Sequence, residues 1–150
     1  MKNVLEIKRL TRNDRQPPMP FYATSGAAGI DLAAFLEESI VLEPGKSAII
    51  PTGLCLSIPE NCVGLIYIRS SLGVKHSITL SNSVGVIDSD YRGEILVSIS
   101  NNSDVPFTVN DRDRIAQLVI TPYVRAEIAE AEQLDETERN AGRFGSTGKQ

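Results

Sequence analysis

The stretch NSVGVIDSDYRGE, residues 82–94, lies between an apolar run at 78–80 and a second one at 95–99. Apolar runs separated by a segment rich in Gly, Asp and Ser are typical of two strands joined by a turn. Gly85 and Gly93 allow backbone conformations that a β-carbon would hinder. The segment therefore predicts two strands joined by a turn that carries chemistry or, taken alone, an ordinary hairpin closed by Asp and Ser.

Length and composition favour one domain, residues 1–150, with a mainly aliphatic core. The chain has 150 residues, of which 41% are hydrophobic and 5% aromatic, and it contains no Trp. A net charge of −4 argues against general binding to nucleic acid. Residues 1–4 lack the apolar region of a signal peptide, and no apolar run approaches the length of a membrane span. We therefore expect a cytoplasmic protein with no membrane contact.

The rest of the chain reads as many short strands with turns between them, which predicts an all-β barrel or sandwich. Residues 94–100 alternate between apolar and polar positions, whereas 63–68 are nearly all apolar and suggest a strand buried on both faces. Residues 70–76 suit a single helical turn, and the acidic stretch 126–138 predicts a short helix or a surface-lying segment. Residues 139–150 are expected to form a mobile tail.

Arginines and hydroxyls mark candidate anion-binding positions. Arg69, Ser70 and Ser71 follow a predicted strand, where they can hold phosphate oxygens or simply begin a helix with a serine as its cap. Arg112, Arg114 and Gln117 lie close together further along, either as exposed rim residues or as a second cluster.

Several other features have ordinary explanations. Lys149 near the chain end does not make a P-loop, because no helix can follow it. His76 is expected to be a solvated side chain. Cys55 and Cys62 are expected to be reduced thiols. Asp31, between Ile30 and Leu32, needs a partner and is expected to pair with an arginine.

The chain resembles the trimeric deoxyuridine triphosphatases (dUTPases), because it carries segments like their five motifs in the family's order. The segments are Ala28–Ala34, Arg69–Gly73, Gly85–Glu94, Arg114–Leu118 and Phe144–Gly148. The resemblance covers residues 22–148. It implies a distorted β-barrel or jelly-roll-like fold with at most one short helix, and it implies hydrolysis of dUTP to dUMP and pyrophosphate. That reaction limits uracil incorporation into DNA and supplies dUMP.

The resemblance also implies roles for individual residues. Asp88 would be the general base that activates water, while Asp90 has no assigned role beyond the turn. The base and sugar would contact Asn82, Gly85, Val86, Ile87, Tyr91 and Phe144. The phosphates would contact Arg69, Ser70, Ser71, Gln117, Arg139, Ser146 and Thr147. On the residues alone, Tyr91 could equally be a core aromatic.

The family uses Mg²⁺ and assembles as a homotrimer with shared active sites, so both are expected here. Asp31 would hold the metal through water, as an alternative to its structural pairing. Arg114 would be mainly structural. Arg112, Asn140 and Arg143 stand where the family usually has glycine. A dCTP deaminase, a bifunctional enzyme of the same fold and a nucleotide-responsive binding module are the rival hypotheses.

Overall fold

The computed structural model describes residues 4–137 and 140–141, which form eleven strands and one short helix. The first strands are β1 (Glu6–Arg9), β2 (Phe21–Tyr22), β3 (Ile30–Ala33), β4 (Ile40–Leu42), β5 (Ser47–Ser57) and β6 (Cys62–Ile68). Helix α1 (Ser70–His76) follows, and then β7 (Ile78–Leu80), β8 (Gly85–Ile87), β9 (Glu94–Asn101), β10 (Phe107–Val109) and β11 (Arg114–Pro122). The all-β prediction with one short helix is confirmed.

Most strands belong to two sheets that face each other across the core. The first has the order β1-β5-β9-β7, the second has the order β2-β3-β11-β6-β8, and β4 and β10 form a separate pair. In the described part of the chain these sheets keep open edges and do not close into a barrel. Of the two expected forms, the architecture is therefore the jelly-roll-like one.

Aliphatic side chains from both sheets fill the space between them. Ile95, Val97 and Ile99 of β9 are all at most 2% exposed, so the predicted alternation of this strand is confirmed. They belong to one buried cluster with Leu118 and Ile66 of the other sheet. Burying such side chains stabilises the fold by about 1.5–3 kcal/mol each.

Strand β6 is not buried on both faces, so that expectation is wrong. Gly64 and Ile66 are buried, whereas Tyr67 is exposed. The strand is apolar because its outer face carries Val63 and Leu65, which are only partly covered.

The segment 81–93 connects the two sheets. Strands β7 and β9 pair with each other, as predicted, with Leu80 opposite Ile99. The connection between them is not a simple hairpin turn, because it contains β8, which pairs with β6 of the second sheet. Segment 81–93 is therefore held at both sheets.

Residues 123–137 lack the regular structure and the buried side chains of the preceding strands. All of them are exposed, and none lies in a helix or strand, so the short helix expected as one alternative at 126–138 is absent from residues 126–137. Ile128 is 97% exposed and Leu134 is 83% exposed. No helix in the described residues is long and apolar enough to span a membrane. Most of the predicted mobile tail lies outside the described residues.

Candidate active site

A row of polar side chains crosses the outer face of the five-stranded sheet. Gln117 of β11 lies opposite Asp31 of β3 on one side and opposite Tyr67 of β6 on the other. Residues directly opposite each other on neighbouring strands share a face. The next residue, Leu118, has the opposite orientation and is buried in the core. Pairing of sequence-distant strands therefore brings these three side chains together.

Two arginines converge on Asp31 at the end of this row. Arg114 Nη1 donates a hydrogen bond to Asp31 Oδ2 at 2.9 Å, and Arg69 Nε lies 3.5 Å from Asp31 Oδ1. Arg69 also donates to the backbone carbonyl of Arg114 at 3.3 Å. The expected arginine pairing of Asp31 is present. One carboxylate offsets only one of the two cations, so the group keeps a positive charge.

These residues surround an open cleft of about 380 Å³, called here the arginine cleft. Its lining includes Gly29, Asp31, Tyr67, Arg69, Ser70, Arg114 and Gln117. Gly29 leaves room for the Gln117 side chain, since a β-carbon there would lie only 2.6 Å from Gln117 Oε1 and would displace it. Segments from three parts of the sequence thus form one positively charged cleft suited to an anion.

Helix α1 begins at the rim of the arginine cleft, but not as an ordinary capped helix. Arg69 occupies the cap position with extended backbone, and no described side chain caps the helix. The interpretation of Ser70 or Ser71 as the cap is therefore wrong. Ser70 is exposed and lines the cleft, whereas Ser71 is half-buried and does not belong to that lining.

A second cavity, of about 250 Å³, lies along the segment after β8 and is called here the Asp88 pocket. It is lined by Val86, Ile87, Asp88, Tyr91, Glu94, Ile95 and Leu96. Asp88 is exposed, and its carbonyl accepts a hydrogen bond from the Tyr91 amide at 3.2 Å, which closes a turn. Arg92 tightens that turn by donating to the Ser89 carbonyl at 2.6 Å.

Two further residues predicted to contact a base lie at the other end of β8. Gly85 is buried and packs closely on Ile66, so that an added β-carbon would lie 3.1 Å from Ile66 Cβ. The amide nitrogen of exposed Asn82 is on the same side, 3.7 Å from that position. Neither residue lines the Asp88 pocket itself.

Tyr91 is a wall of the Asp88 pocket rather than a core aromatic, because it is 44% exposed. Its hydroxyl donates to the backbone carbonyl of Glu94 at 3.0 Å. The ring lies directly over Gly93, where a β-carbon would come within 2.4 Å of the hydroxyl oxygen. Gly93 therefore leaves the space that Tyr91 occupies.

The arginine cleft and the Asp88 pocket share no lining residue. Ile87 lies opposite Gly64 near the start of β6, while Arg69 follows the end of that strand. Arg69 comes five positions after Gly64 in the chain, which corresponds to about 16 Å along the strand. Within a single copy of the chain, Asp88 and the two arginines are therefore too far apart to contact the same few atoms of a ligand.

Four predicted substrate contacts, Arg139, Phe144, Ser146 and Thr147, lie outside the described residues, as does Arg143. At two other positions where this chain departs from the resembled family, the backbone conformation explains why glycine is usual. Arg112 and Asn140 have φ of +67° and +38°, the region that favours glycine. The Thr137 backbone amide donates a hydrogen bond to Asn140 Oδ1 at 2.8 Å, and the Asn140 backbone amide donates one to Thr137 Oγ1 at 3.0 Å.

The other single-residue expectations have simple outcomes. His76 is exposed at the end of α1, and its ring packs against Phe107 with 5.2 Å between centroids. Cys55 and Cys62 are both free thiols. Among the described residues no three His, Cys, Asp or Glu side chains cluster as metal ligands.

Sequence reasoning missed two long-range ion pairs, one of which includes Glu94 in the lining of the Asp88 pocket. Arg12 bonds to Glu94, and Arg15 bonds to Asp111. The partners are separated by 82 and 96 residues, so no local pattern connects them. The available signal was the pair of arginines at 12 and 15 in a polar stretch, since each needs an anionic partner or solvent.

Comparisons with known proteins agree on one family. The sequence model of the dUTPase family matches residues 15–148. The deoxyuridine 5'-triphosphate nucleotidohydrolase of Desulfitobacterium hafniense is 50% identical over 148 residues, covering 97% of this chain and 98% of that protein. The enzyme of the same name from Ectopseudomonas mendocina is 53% identical over 132 residues, covering 87% of each chain.

Solved structures give the same result. The dUTPase of Staphylococcus bacteriophage 80alpha with dUPNHPP has a TM-score of 0.86 at 30% identity, covering 98% of this chain and 99% of that one. A mutant dUTPase from phage phi11 of S. aureus, described with a structural Mg(II) ion, has a TM-score of 0.76 at 30% identity. It covers 87% of this chain and 98% of its own.

Proposed function

The chain belongs to the dUTPase family, and from this premise we propose that it is a dUTP diphosphatase, which hydrolyses dUTP to dUMP and pyrophosphate. The observation that carries the proposal is the convergence of Asp31, Arg69, Ser70, Arg114 and Gln117 in the arginine cleft. Their segments are those that resemble family motifs, and the cleft they form has the charge that a triphosphate requires.

The arginine cleft binds the phosphate chain in this account. Arg69 and Ser70 approach it from the end of β6, and Gln117 approaches from the middle of β11. Guanidinium groups and amides donate hydrogen bonds to phosphate oxygens and offset the charge that grows during the reaction. Ser71, also predicted as a phosphate contact, lies one residue further into α1 and outside the lining of the cleft. Arg139, Ser146 and Thr147 would close over the phosphates from the tail.

In this account the nucleoside lies along β8, with its base toward Asn82 and Gly85 at one end and its sugar in the Asp88 pocket at the other. Backbone groups from Gly85 to Ile87 and the amide of Asn82 match the edge of uracil, and a 5-methyl group would meet the backbone. Tyr91 lies against the deoxyribose and leaves no room for a 2′-hydroxyl. Rejection of a larger base by close walls is stronger than rejection of a smaller base by an apolar pocket. Phe144 would stack on the base from the tail.

Asp88 is the general base. Its carboxylate takes a proton from a water molecule whose oxygen attacks the α-phosphorus in line with the bond to the β-phosphate. That bond breaks, and pyrophosphate leaves with its electron pair. The exposure of Asp88 leaves its carboxylate accessible to water.

The separation of the two cavities supports a homotrimer with shared active sites. One copy would supply Asp88 and another the arginine cleft, since within one chain Ile87 lies opposite Gly64, about 16 Å along β6 from Arg69. The exposed apolar residues Val124, Ile128 and Leu134 support the same conclusion, because covering such side chains with another copy would stabilise the assembly. The tail that follows them could then reach a neighbouring site.

Mg²⁺ fits the arginine cleft through the substrate and through water, and not by direct ligation to Asp31. Asp31 is the acidic residue in the lining, and both of its oxygens already contact arginines. Their remaining lone pairs can accept a hydrogen bond from a metal-bound water, which suits an ion that keeps several of its waters. When bound to the triphosphate, the metal supplies positive charge between the phosphates.

The proposal is tested by measuring pyrophosphate release from dUTP, dCTP, dTTP and UTP with Mg²⁺ present. Rapid release from dUTP alone is expected. Ammonia release from dCTP would instead favour a deaminase or a bifunctional enzyme, and tight dUTP binding without turnover would favour a nucleotide-responsive binding module.

A further inference from the structure

Glu94 is the first residue of β9, and both oxygens of its carboxylate have bonding partners. One carboxylate oxygen accepts a hydrogen bond from the Gly53 amide at 2.7 Å, and the other is paired with Arg12. The Glu94 side chain is only 16% exposed. This carboxylate therefore links the start of β9 to β5 and to the loop that precedes β2.

The contact falls on a β-bulge, which fixes the backbone there. Register between β5 and β9 shifts between Pro51, opposite Leu96, and Cys55, opposite Glu94. Gly53 inside the bulge has φ of +68°, and a β-carbon there would lie 2.5 Å from the Phe35 ring. Bulges redirect the strand beside a site. Here the bulge amide that would otherwise lack a strand partner is bound by Glu94.

The same residue positions Tyr91 through its backbone. Tyr91 donates its hydroxyl hydrogen to the Glu94 carbonyl, and both residues line the Asp88 pocket. A shift of Glu94 would therefore move the hydrogen-bond acceptor that holds the Tyr91 ring over Gly93. The contacts form a chain from Arg12 through Glu94 to Tyr91.

We propose that Glu94 and Arg12 are positioning residues that set the discrimination between dUTP and UTP by holding Tyr91 in place. The inference rests on the proposed function, in which Tyr91 contacts the deoxyribose. Neither Glu94 nor Arg12 touches the reacting atoms. Their loss widens the space beside the sugar.

The structure offers a matched control in Asp111. Its carboxylate also accepts a backbone amide, that of Leu36 at 2.9 Å, and also pairs with an arginine, Arg15. Arg12 and Arg15 both lie over the Phe35 ring, at 5.6 and 5.7 Å. Asp111 has no contact with Tyr91 or the Asp88 pocket. Asp111→Asn therefore removes an equivalent ion pair without affecting Tyr91.

The test compares kcat and KM for dUTP and UTP in Glu94→Gln, Asp111→Asn, Tyr91→Phe and the double variant Glu94→Gln/Tyr91→Phe. Glu94→Gln is expected to lower the dUTP-to-UTP ratio of kcat/KM by about five- to tenfold, because small misplacements of a positioning group have large effects. Most of the change should appear in KM. Arg12→Lys should retain most of the ratio, and Asp111→Asn should retain all of it.

Tyr91→Phe should lower the ratio by a similar factor, and the double variant should lower it no further, since both changes act on one hydrogen bond. An unchanged ratio in Glu94→Gln, or multiplying effects in the double variant, would overturn the inference. Loss of folded protein alone would not move a ratio. An inactive wild-type protein would instead overturn the proposed function.

Discussion

Arg114 and Asp31 join the first residue of β11 to the middle of β3 through a hydrogen bond of 2.9 Å. Asp31 is 10% exposed at its side chain, while Arg114 is 46% exposed. The carboxylate also contacts Arg69, so it holds two cations at the edge of the arginine cleft. The pair is therefore part of both the fold and the arginine cleft.

Asp31→Asn should reduce both the stability of the fold and the binding of substrate in the arginine cleft. The neutral amide leaves Arg69 and Arg114 without their anion, so the free energy of unfolding should fall by about 1–3 kcal/mol. The KM for dUTP should rise, since the guanidinium groups lose their fixed orientation. Urea denaturation and steady-state kinetics measure the two effects. Unchanged values in both experiments would show that the pairing has no role.

Gly29→Ala should reduce substrate binding without unfolding the protein. Its β-carbon would lie 2.6 Å from Gln117 Oε1, so the Gln117 side chain must move away from its place in the cleft. We expect an increase in KM of about tenfold, equivalent to roughly one lost hydrogen bond to a charged group. Gly26→Ala is the control, because nothing lies within 4 Å of its added β-carbon. Equal KM values for the two variants would contradict the account.

Gly53→Ala tests the bulge beside the Asp88 pocket. Both Gly53 and Gly45 have left-handed φ, of +68° and +72°, but only Gly53 also lacks space, because Phe35 and Pro17 are too close. Gly45→Ala should cost about 1–2 kcal/mol from backbone strain. Gly53→Ala should cost a further ~1–3 kcal/mol from overpacking. Thermal denaturation of both variants checks this difference, and equal losses would argue against a close-packed bulge.

Shared active sites can be tested by mixing two inactive variants. Asp88→Asn lacks the proposed base, and Arg69→Ala lacks a proposed phosphate contact. If each site takes Asp88 from one copy and Arg69 from another, refolding an equal mixture should restore about a quarter of the wild-type activity, since each residue is intact in half of the copies. A mixture of Asp88→Asn and Asp88→Ala should remain inactive. No recovery in the first mixture would contradict sites built between copies.

Local sequence patterns predicted the strands well, because alternation directly reports which face of a strand is buried. The burial of Ile95, Val97 and Ile99 is the clearest case. The pattern failed at residues 63–68, where the apolar outer face of β6 was interpreted as a second buried face.

Long-range pairing could not be predicted in the same way. The pairing of β8 with β6 and the bond between Arg12 and Glu94 depend on how distant segments meet in space. The alignment of Asp31, Gln117 and Tyr67 is of the same kind, since it follows from strand order and register. The motifs predicted which residues form the site, and that assignment stays a prediction. The separation of Asp88 from the arginine cleft required coordinates.

The central claim is that Asp88 is the base of a dUTP-hydrolysing enzyme. It is tested most directly by measuring pyrophosphate release from dUTP by the wild-type protein and by Asp88→Asn, with dUTP binding measured in parallel. The account predicts a fall in kcat of about 10²–10⁴-fold in the variant, with nucleotide affinity retained. Turnover by Asp88→Asn at the wild-type rate would contradict it.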